Sequence, residues 1–326
     1  MYGASNTAQI LAQDELGDAI VVIGEHLREK NYAFTTVTPE THRRVIANNP
    51  LCRDVLRDVF GWNRSFAIED VDAHVREAMQ RAGLLDAVGQ SESLCRSNIR
   101  FASLGDDLFA HSAFPTESAQ SVFFGPDSYR FARFIEHTLA AHPNPVRRVI
   151  DIGCGSGVGG LIAVKAAKSR AQLVLADINP LALRFAAANA RLAGIANLRC
   201  LQSDVFASID GDADVIVSNP PYLADPKERM YRHGGAYFGA ELSLRILRES
   251  LNRLRPGGVL ILYTGSAVIN GVDTFRNRAL PLLRAPELSF RYTELDPDVF
   301  GEELDRKHYQ AVERIAAVGL TVTRTA

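Results

Sequence analysis

Apolar side chains recur at helical spacing over residues 7–30 (Ile10, Leu11, Leu16, Ile20, Ile23, Leu27), which predicts one amphipathic helix. Thr38-Pro39-Glu40 reads as a second helix start, with a capping hydroxyl, a proline in the first turn and an acid near the positive end of the dipole. Helical stretches at about 51–60 and 68–85 follow, so residues 1–90 read as a small helical bundle. Between 98 and 124 the pattern changes. Ile99, Phe101, Leu104, Leu108, Phe109 and Val122-Phe123-Phe124 are interrupted by Gly105-Asp106-Asp107 and Pro115, which predicts short strands or a hairpin.

From residue 127 the two periods alternate. Strands are predicted near 147–152, 172–177, 197–201, 213–218, 258–264, 288–294 and 310–324. Helices are predicted near 127–141, 158–169, 180–193, 237–254 and 269–284. Strand–helix alternation with short connections implies an α/β fold, a seven-stranded and mostly parallel sheet, with the last strand as an antiparallel edge. The division that follows is a helical domain over 1–95, a β-hairpin linker over 96–126 and a ligand-binding domain over 127–326.

Charge and composition narrow the partners. The chain has 36 basic against 38 acidic side chains and no basic, aromatic-interleaved stripe, so nucleic acid is disfavoured. Its four cysteines lie far apart and its eight histidines show no HxxxH spacing, so no metal is expected. Met1–Asn6 lacks a signal-peptide start, and the apolar runs at 19–23 and 259–262 are too short to span a bilayer. A soluble, cytoplasmic protein is expected.

The chemistry begins at the first strand of the third segment. Asp151 leads into Ile152-Gly153-Cys154-Gly155-Ser156-Gly157-Val158-Gly159-Gly160, a glycine-rich strand-to-helix turn that permits positive φ and close approach of a ligand. A carboxylate at Asp151 is badly placed for a pyrophosphate and well placed for an ammonium group. Asp177 ends the second strand, 177 − 153 = 24 residues beyond Gly153, near the usual spacing of about 20 for the acid that accepts ribose hydroxyls. Ile178 is placed to pack on a planar base, and Asp204, before Val205, to accept from an adenine amino group. Together these favour a nucleoside with an amino-acid tail.

The fourth strand ends in Asn219-Pro220-Pro221-Tyr222. Two prolines stiffen the backbone and remove two amide donors, which leaves an acceptor-rich corner made by the Asn219 side-chain carbonyl and the Pro220 main-chain carbonyl. Such a corner binds an NH group, orients its lone pair and stabilises positive charge growing on nitrogen. Tyr222 adds an aromatic face for a planar substrate group or a sulfonium.

The set of Asp151-Ile-Gly-Cys-Gly-Ser-Gly157, Asp177, Asp204 and Asn219-Pro-Pro-Tyr222 resembles the class I S-adenosylmethionine-dependent methyltransferases. It is similar above all to their Asn-Pro-Pro-Tyr branch and, within it, to the glutamine methyltransferases of the HemK/PrmC group. The resemblance implies a Rossmann-like fold and S-adenosylmethionine as cofactor. Asp151, Gly153, Gly155, Gly157, Asp177, Ile178, Asp204, Val205 and Asn219 would bind it, and Asn219, Pro220 and Tyr222 would carry catalysis. The acceptor would be an amide or amine nitrogen of a small molecule or a protein glutamine.

Phe124-Gly125-Pro126-Asp127-Ser128 resembles the family segment that lies over the cofactor, with Gly125 and Arg130 in place of the family's arginine and glutamate. Tyr263-Thr264 replaces its fifth-strand glutamate. The acidic stretch Glu294, Asp296, Asp298, Glu302, Glu303 and Asp305 reads as a solvated loop, with a cationic substrate as its alternative use.

A second reading keeps the cofactor and changes the reaction. The same corner could turn the cofactor's amino group on its own γ-carbon, forming azetidine-2-carboxylate and methylthioadenosine, under aromatic cover from Tyr129, Phe131 and Phe134. A non-catalytic scaffold has no use for the intact Asn219-to-Tyr222 corner. A nicotinamide dehydrogenase conflicts with Asp151 beside the pyrophosphate.

Overall fold

The computed structural model describes residues 14–49, 54–89, 93–114, 116, 118–225 and 229–325. Ile10, Leu11 and Cys52 lie outside them. Contacts divide the chain into two compact units, the first comprising Met1–Tyr129, Gly155–Val158 and Pro180–Ala196 and the second the remainder. Among the described residues no helix is long and apolar enough to cross a membrane.

The first unit contains α1 (Glu15–Glu29), α2 (Pro39–Asn48), α3 (Val55–Phe60), β1 (Phe66–Ala67), α4 (Ala73–Arg81), β2 (Leu85–Ala87), β3 (Leu94–Ser97), β4 (Ile99–Leu104) and β5 (Asp107–Ser112). Thr38 caps α2 as its sequence predicts, its hydroxyl accepting from the Thr41 amide at 3.2 Å. Ile20, Ile23 and Leu27 of α1 share a core with Phe60, Met79 and Phe101, joined by Phe185 and Leu192 from the 180–196 segment. The purely helical bundle does not hold. β1, β3 and β2 form a small antiparallel sheet in that order. Strands of two to four residues are too short to display a period of two, so the pattern could not reveal them. β4 and β5 make the expected hairpin, turning at Gly105 with φ 57°.

The later elements are α5 (Pro126–Ala140), β6 (Arg148–Ile152), α6 (Val158–Ala166), β7 (Gln172–Asp177), α7 (Pro180–Leu192), β8 (Leu198–Gln202) and β9 (Ala213–Ser218). Then come α8 (Glu241–Leu251), β10 (Leu254–Ile269), β11 (Val272–Asp273), α9 (Thr274–Ala279), β12 (Leu288–Asp296) and β13 (Arg314–Arg324). The sheet of the second unit runs β12-β13-β10-β9-β6-β7-β8, with β11 paired to β10. β6, β7, β8, β9 and β10 pair in parallel, and β13 is antiparallel to both neighbours.

β13 is therefore not the edge. It lies between β10 and β12, and its run from Ile315 to Leu320 is buried throughout, whereas Ser289, Phe290 and Arg291 leave β12 exposed as the true edge. A continuous apolar run marks a strand covered on both faces. Ile150, Val174, Ile216, Leu260 and Leu320 form the centre of this core, so Leu260→Ala would cost about 2–5 kcal/mol.

Candidate active site

β6 has β7 on one side and β9 on the other, so the chain reverses its direction of travel across the sheet at β6. Crevices at such a switch point, at the carboxyl ends of the strands, are where open α/β sheets bind ligands. Ile152 is in register with Ala176 and Ser218, and Asp177 with Gln202. The residues just beyond β9, β6, β7 and β8 thus stand side by side. At roughly 4.8 Å per strand the row spans about 14 Å, room for an extended nucleoside with a tail.

Gly153 opens the glycine turn with φ 67°, and a Cβ there would meet nothing within 4 Å. Its amide and that of Cys154 both donate to the Ala176 carbonyl, at 2.9 and 3.0 Å, folding the turn onto the end of β7. Gly155 and Gly157 also have positive φ, 53° and 84°. In the first unit the Asn189 side chain donates to the Ser156 carbonyl at 2.9 Å and exchanges hydrogen bonds with the Ala110 backbone, tying the glycine turn to β5. In the sequence Asn189 stands out only as a lone amide in the alanine-rich, fully buried stretch Phe185–Ala190.

Asp151 is 1% exposed. Its Oδ2 accepts from the Gly160 amide at 2.7 Å, and among the described residues no basic group contributes to its electrostatic surroundings. Burial, reinforced by the negative charge of Asp177, pushes its carboxyl up to about 7. Side chains at Gly159 or Gly160 would crowd it, since a Cβ at Gly159 would lie 3.0 Å from both carboxylate oxygens.

Asp177 accepts from the Asn179 amide at 2.9 Å, and Ile178 beside it is left 55% exposed. Val205 holds φ 51°, a left-handed conformation that is an outlier for a β-branched residue and characteristic of functional turns. Asp204 is exposed. Its carboxylate is gripped by Arg245 at 2.8 and 3.0 Å. The β6–β8 ends fit S-adenosylmethionine on two observations: a buried carboxylate with no counter-charge among the described residues suits a cationic ligand, and open space beside the Gly153 backbone leaves room for a ligand to approach closely.

Asn219 is half-buried, and its amide makes no hydrogen bond among the described residues. Ser218 before it donates to the Ile152 carbonyl at 2.7 Å, clamping β9 to β6. Pro220 and Tyr222 are buried. The Tyr222 ring lies 6.3 Å from Tyr263 and 5.8 Å, edge-on, from Phe300. It rests on Gly265, where a Cβ would come within 2.2 Å of the ring. Gly265→Ala is expected to force the Tyr222 ring aside and destabilise the protein by about 1–3 kcal/mol, seen as a lower midpoint in urea unfolding.

The loop after Tyr222 returns over its backbone. Cβ atoms at Gly234 and Gly239 would lie 2.5 Å from the Pro221 carbonyl and 2.3 Å from the Tyr222 carbonyl. Tyr237 and Phe238 both adopt positive φ between them, 56° and 59°, and Tyr237 remains 51% exposed with Arg278 over its ring at 4.6 Å.

The acidic stretch is solvated only in part: Asp298, Glu302 and Asp305 are exposed, while the other three acids are paired. Asp296 pairs with Arg130 at 2.7 Å, Glu294 with Arg314 at 2.9 Å, and Glu303, 1% exposed, with Arg232 and Arg306. Arg232 also lies over Phe300, the ring that meets Tyr222. Charge spacing in the sequence shows the acids and the neighbouring Arg306, but not Arg130, Arg232 and Arg314, which come from other elements. Glu303→Gln should cost about 2 kcal/mol, because it leaves two guanidinium groups facing each other without a counter-charge; chemical denaturation measures this directly.

In the first unit Tyr129 accepts from the Thr36 amide; in the second Phe134 packs on Gly319, and Phe131 lies against Gly159 and 6.1 Å from Tyr263.

Comparisons with known proteins point to the same chemistry. The methyltransferase small domain family matches residues 131–268. A Methanocaldococcus jannaschii protein, assigned provisionally as a protein N5-glutamine methyltransferase, is 33% identical over 150 residues, covering 44% of this chain and 73% of that protein. The release factor glutamine methyltransferase of Escherichia coli is 32% identical over 143 residues, 40% of this chain and 51% of its own length. The chain therefore spans about half of that relative. Among solved structures, an S-adenosylmethionine-dependent methyltransferase of Agrobacterium tumefaciens superimposes with a TM-score of 0.49 at 16% identity, covering 74% of this chain and 72% of that one.

The family match and the relatives define an S-adenosylmethionine-dependent methyltransferase. The chain belongs to the methyltransferase small domain family and is distantly homologous to the glutamine methyltransferases named above.

Proposed function

We propose that the protein methylates an amide or amine nitrogen, with the glutamine side chain of a protein as the leading acceptor class. The observation that carries this reading is the Asn219 amide, half-buried at a carboxyl strand end with no hydrogen-bond partner among the described residues. The names of the relatives add support, since those compared above are assigned to glutamine.

Bound S-adenosylmethionine would supply a methyl carbon made electrophilic by its sulfonium. The chain's own groups do the rest. Asp151 and Asp177 would hold the amino-acid and ribose ends, and Ile178 and Val205 would flank the base. The Asn219 carbonyl and the Pro220 main-chain carbonyl would accept the hydrogens of the incoming nitrogen. That turns its lone pair into the crevice and stabilises the positive charge that develops on it. Tyr222, seated between Gly265 and Phe300, would wall the crevice against water. Exposed Tyr237 would offer a stacking face to a planar amide.

The test is incubation with S-adenosylmethionine, with and without a glutamine-bearing peptide, followed by mass spectrometry. S-adenosylhomocysteine and a methylated glutamine, both dependent on the peptide, are expected. Methylthioadenosine and an azetidine amino acid formed without any acceptor would establish the cyclisation reading instead.

A further inference from the structure

We propose that His26, Asp72 and His74 form a divalent-cation site of the zinc class in the first unit, sharing no residue with the crevice that the methyltransferase reading uses. His26 lies on the buried face of α1 and is 4% exposed, with its Nε2 3.3 Å from Asp72 Oδ2. Its ring meets that of His74 edge-on, centroids 4.8 Å apart. One donor atom from each of the three residues lies within 4.8 Å of the other two. Two imidazoles and one carboxylate are a donor set that zinc favours.

Asp72 supplies the second observation. It occupies the N-cap position of α4, where a carboxylate ordinarily accepts from an amide of the first turn, a bond that contributes about 1 kcal/mol. Its side chain makes no such bond and faces His26 instead.

Metal–ligand bonds of about 2.0–2.2 Å at tetrahedral angles place neighbouring donor atoms roughly 3.3–3.5 Å apart. The His26–Asp72 edge already has that length. His74 and Asp72 are exposed, so their side chains are free to close the remaining edges, and a fourth position is left to water. The ion would clip α1 to the start of α4. Its role is structural stabilisation of this unit, with no part in the transfer chemistry.

The test uses the tag-free full chain, stripped with a chelator. Calorimetric titration with zinc should show one saturable equivalent, and cobalt should give the visible bands of a tetrahedral site. His74→Ala and Asp72→Asn, both exposed and outside the apolar core, should each weaken binding at least about tenfold and remove the zinc-dependent rise in Tm. Circular dichroism confirms that each variant is folded. Absence of a saturable equivalent, or zinc affinity unchanged in both variants, would overturn the proposal.

Discussion

Asn219→Ala is expected to lower kcat about a thousandfold while leaving the affinity for S-adenosylmethionine within a factor of about three. The size follows from the role proposed for its side chain, a preorganised partner aimed at charge that appears only in the transition state; losing one such group costs about 10²–10³ in rate. Binding is largely spared because, on the proposed reading, the nucleoside would be held by the ends of β6, β7 and β8, whereas Asn219 follows β9. Alanine also removes no buried hydrogen bond, since the amide makes none among the described residues. Turnover is read from S-adenosylhomocysteine release and affinity by calorimetry. Full activity in the variant would remove the acceptor corner from the mechanism.

Asp151→Asn should move stability and cofactor binding in opposite directions. In the ligand-free protein burial raises the Asp151 pKa from 3.8 to about 7, so the folded state binds more protons than the unfolded state between those values. Stability contributed by this group is complete below pH 4, falls as the pH rises through that window, and stays at its low level above pH 7. The ceiling on this loss is about 4 kcal/mol, taking 1.36 kcal/mol per pH unit. Asparagine cannot ionise, yet its carbonyl can still accept from the Gly160 amide. Above pH 7 the variant should therefore melt at a higher temperature than the parent, and below pH 4 the two should converge.

Its affinity for S-adenosylmethionine should fall by at least about a hundredfold, because the ammonium end loses its buried counter-charge. In the parent protein the same linkage makes the cofactor bind about tenfold more tightly per pH unit on rising toward 7, with a plateau above. Thermal melts and titrations across pH 5–8 check both halves. A variant that is destabilised at pH 8 would show that Asp151 serves the fold and not the ligand.

Much of the catalytic unit is legible in the amino-acid sequence, because its signals are local. β6, β7 and β9 are short apolar runs ended by glycine, aspartate or asparagine-proline, and each ending residue sits where its strand stops. Parallel order follows from the alternation of helix and strand, and the crevice from the rule that ligands bind at carboxyl strand ends. The β-structure of the first unit is hidden, since strands of two to four residues leave no period to read.

What tertiary structure alone decided lies in contacts between residues distant in sequence. It placed β13 inside the sheet, gave Asp204 to Arg245 and Glu303 to Arg232, and set Tyr222 on Gly265. It also left Asp151 buried with no counter-charge among the described residues. A side chain's type and strand position are written in the chain, but its solvation and its partner are not. Those depend on which distant residues the fold brings within about 4 Å, where desolvation and pairing set the energy of a charge.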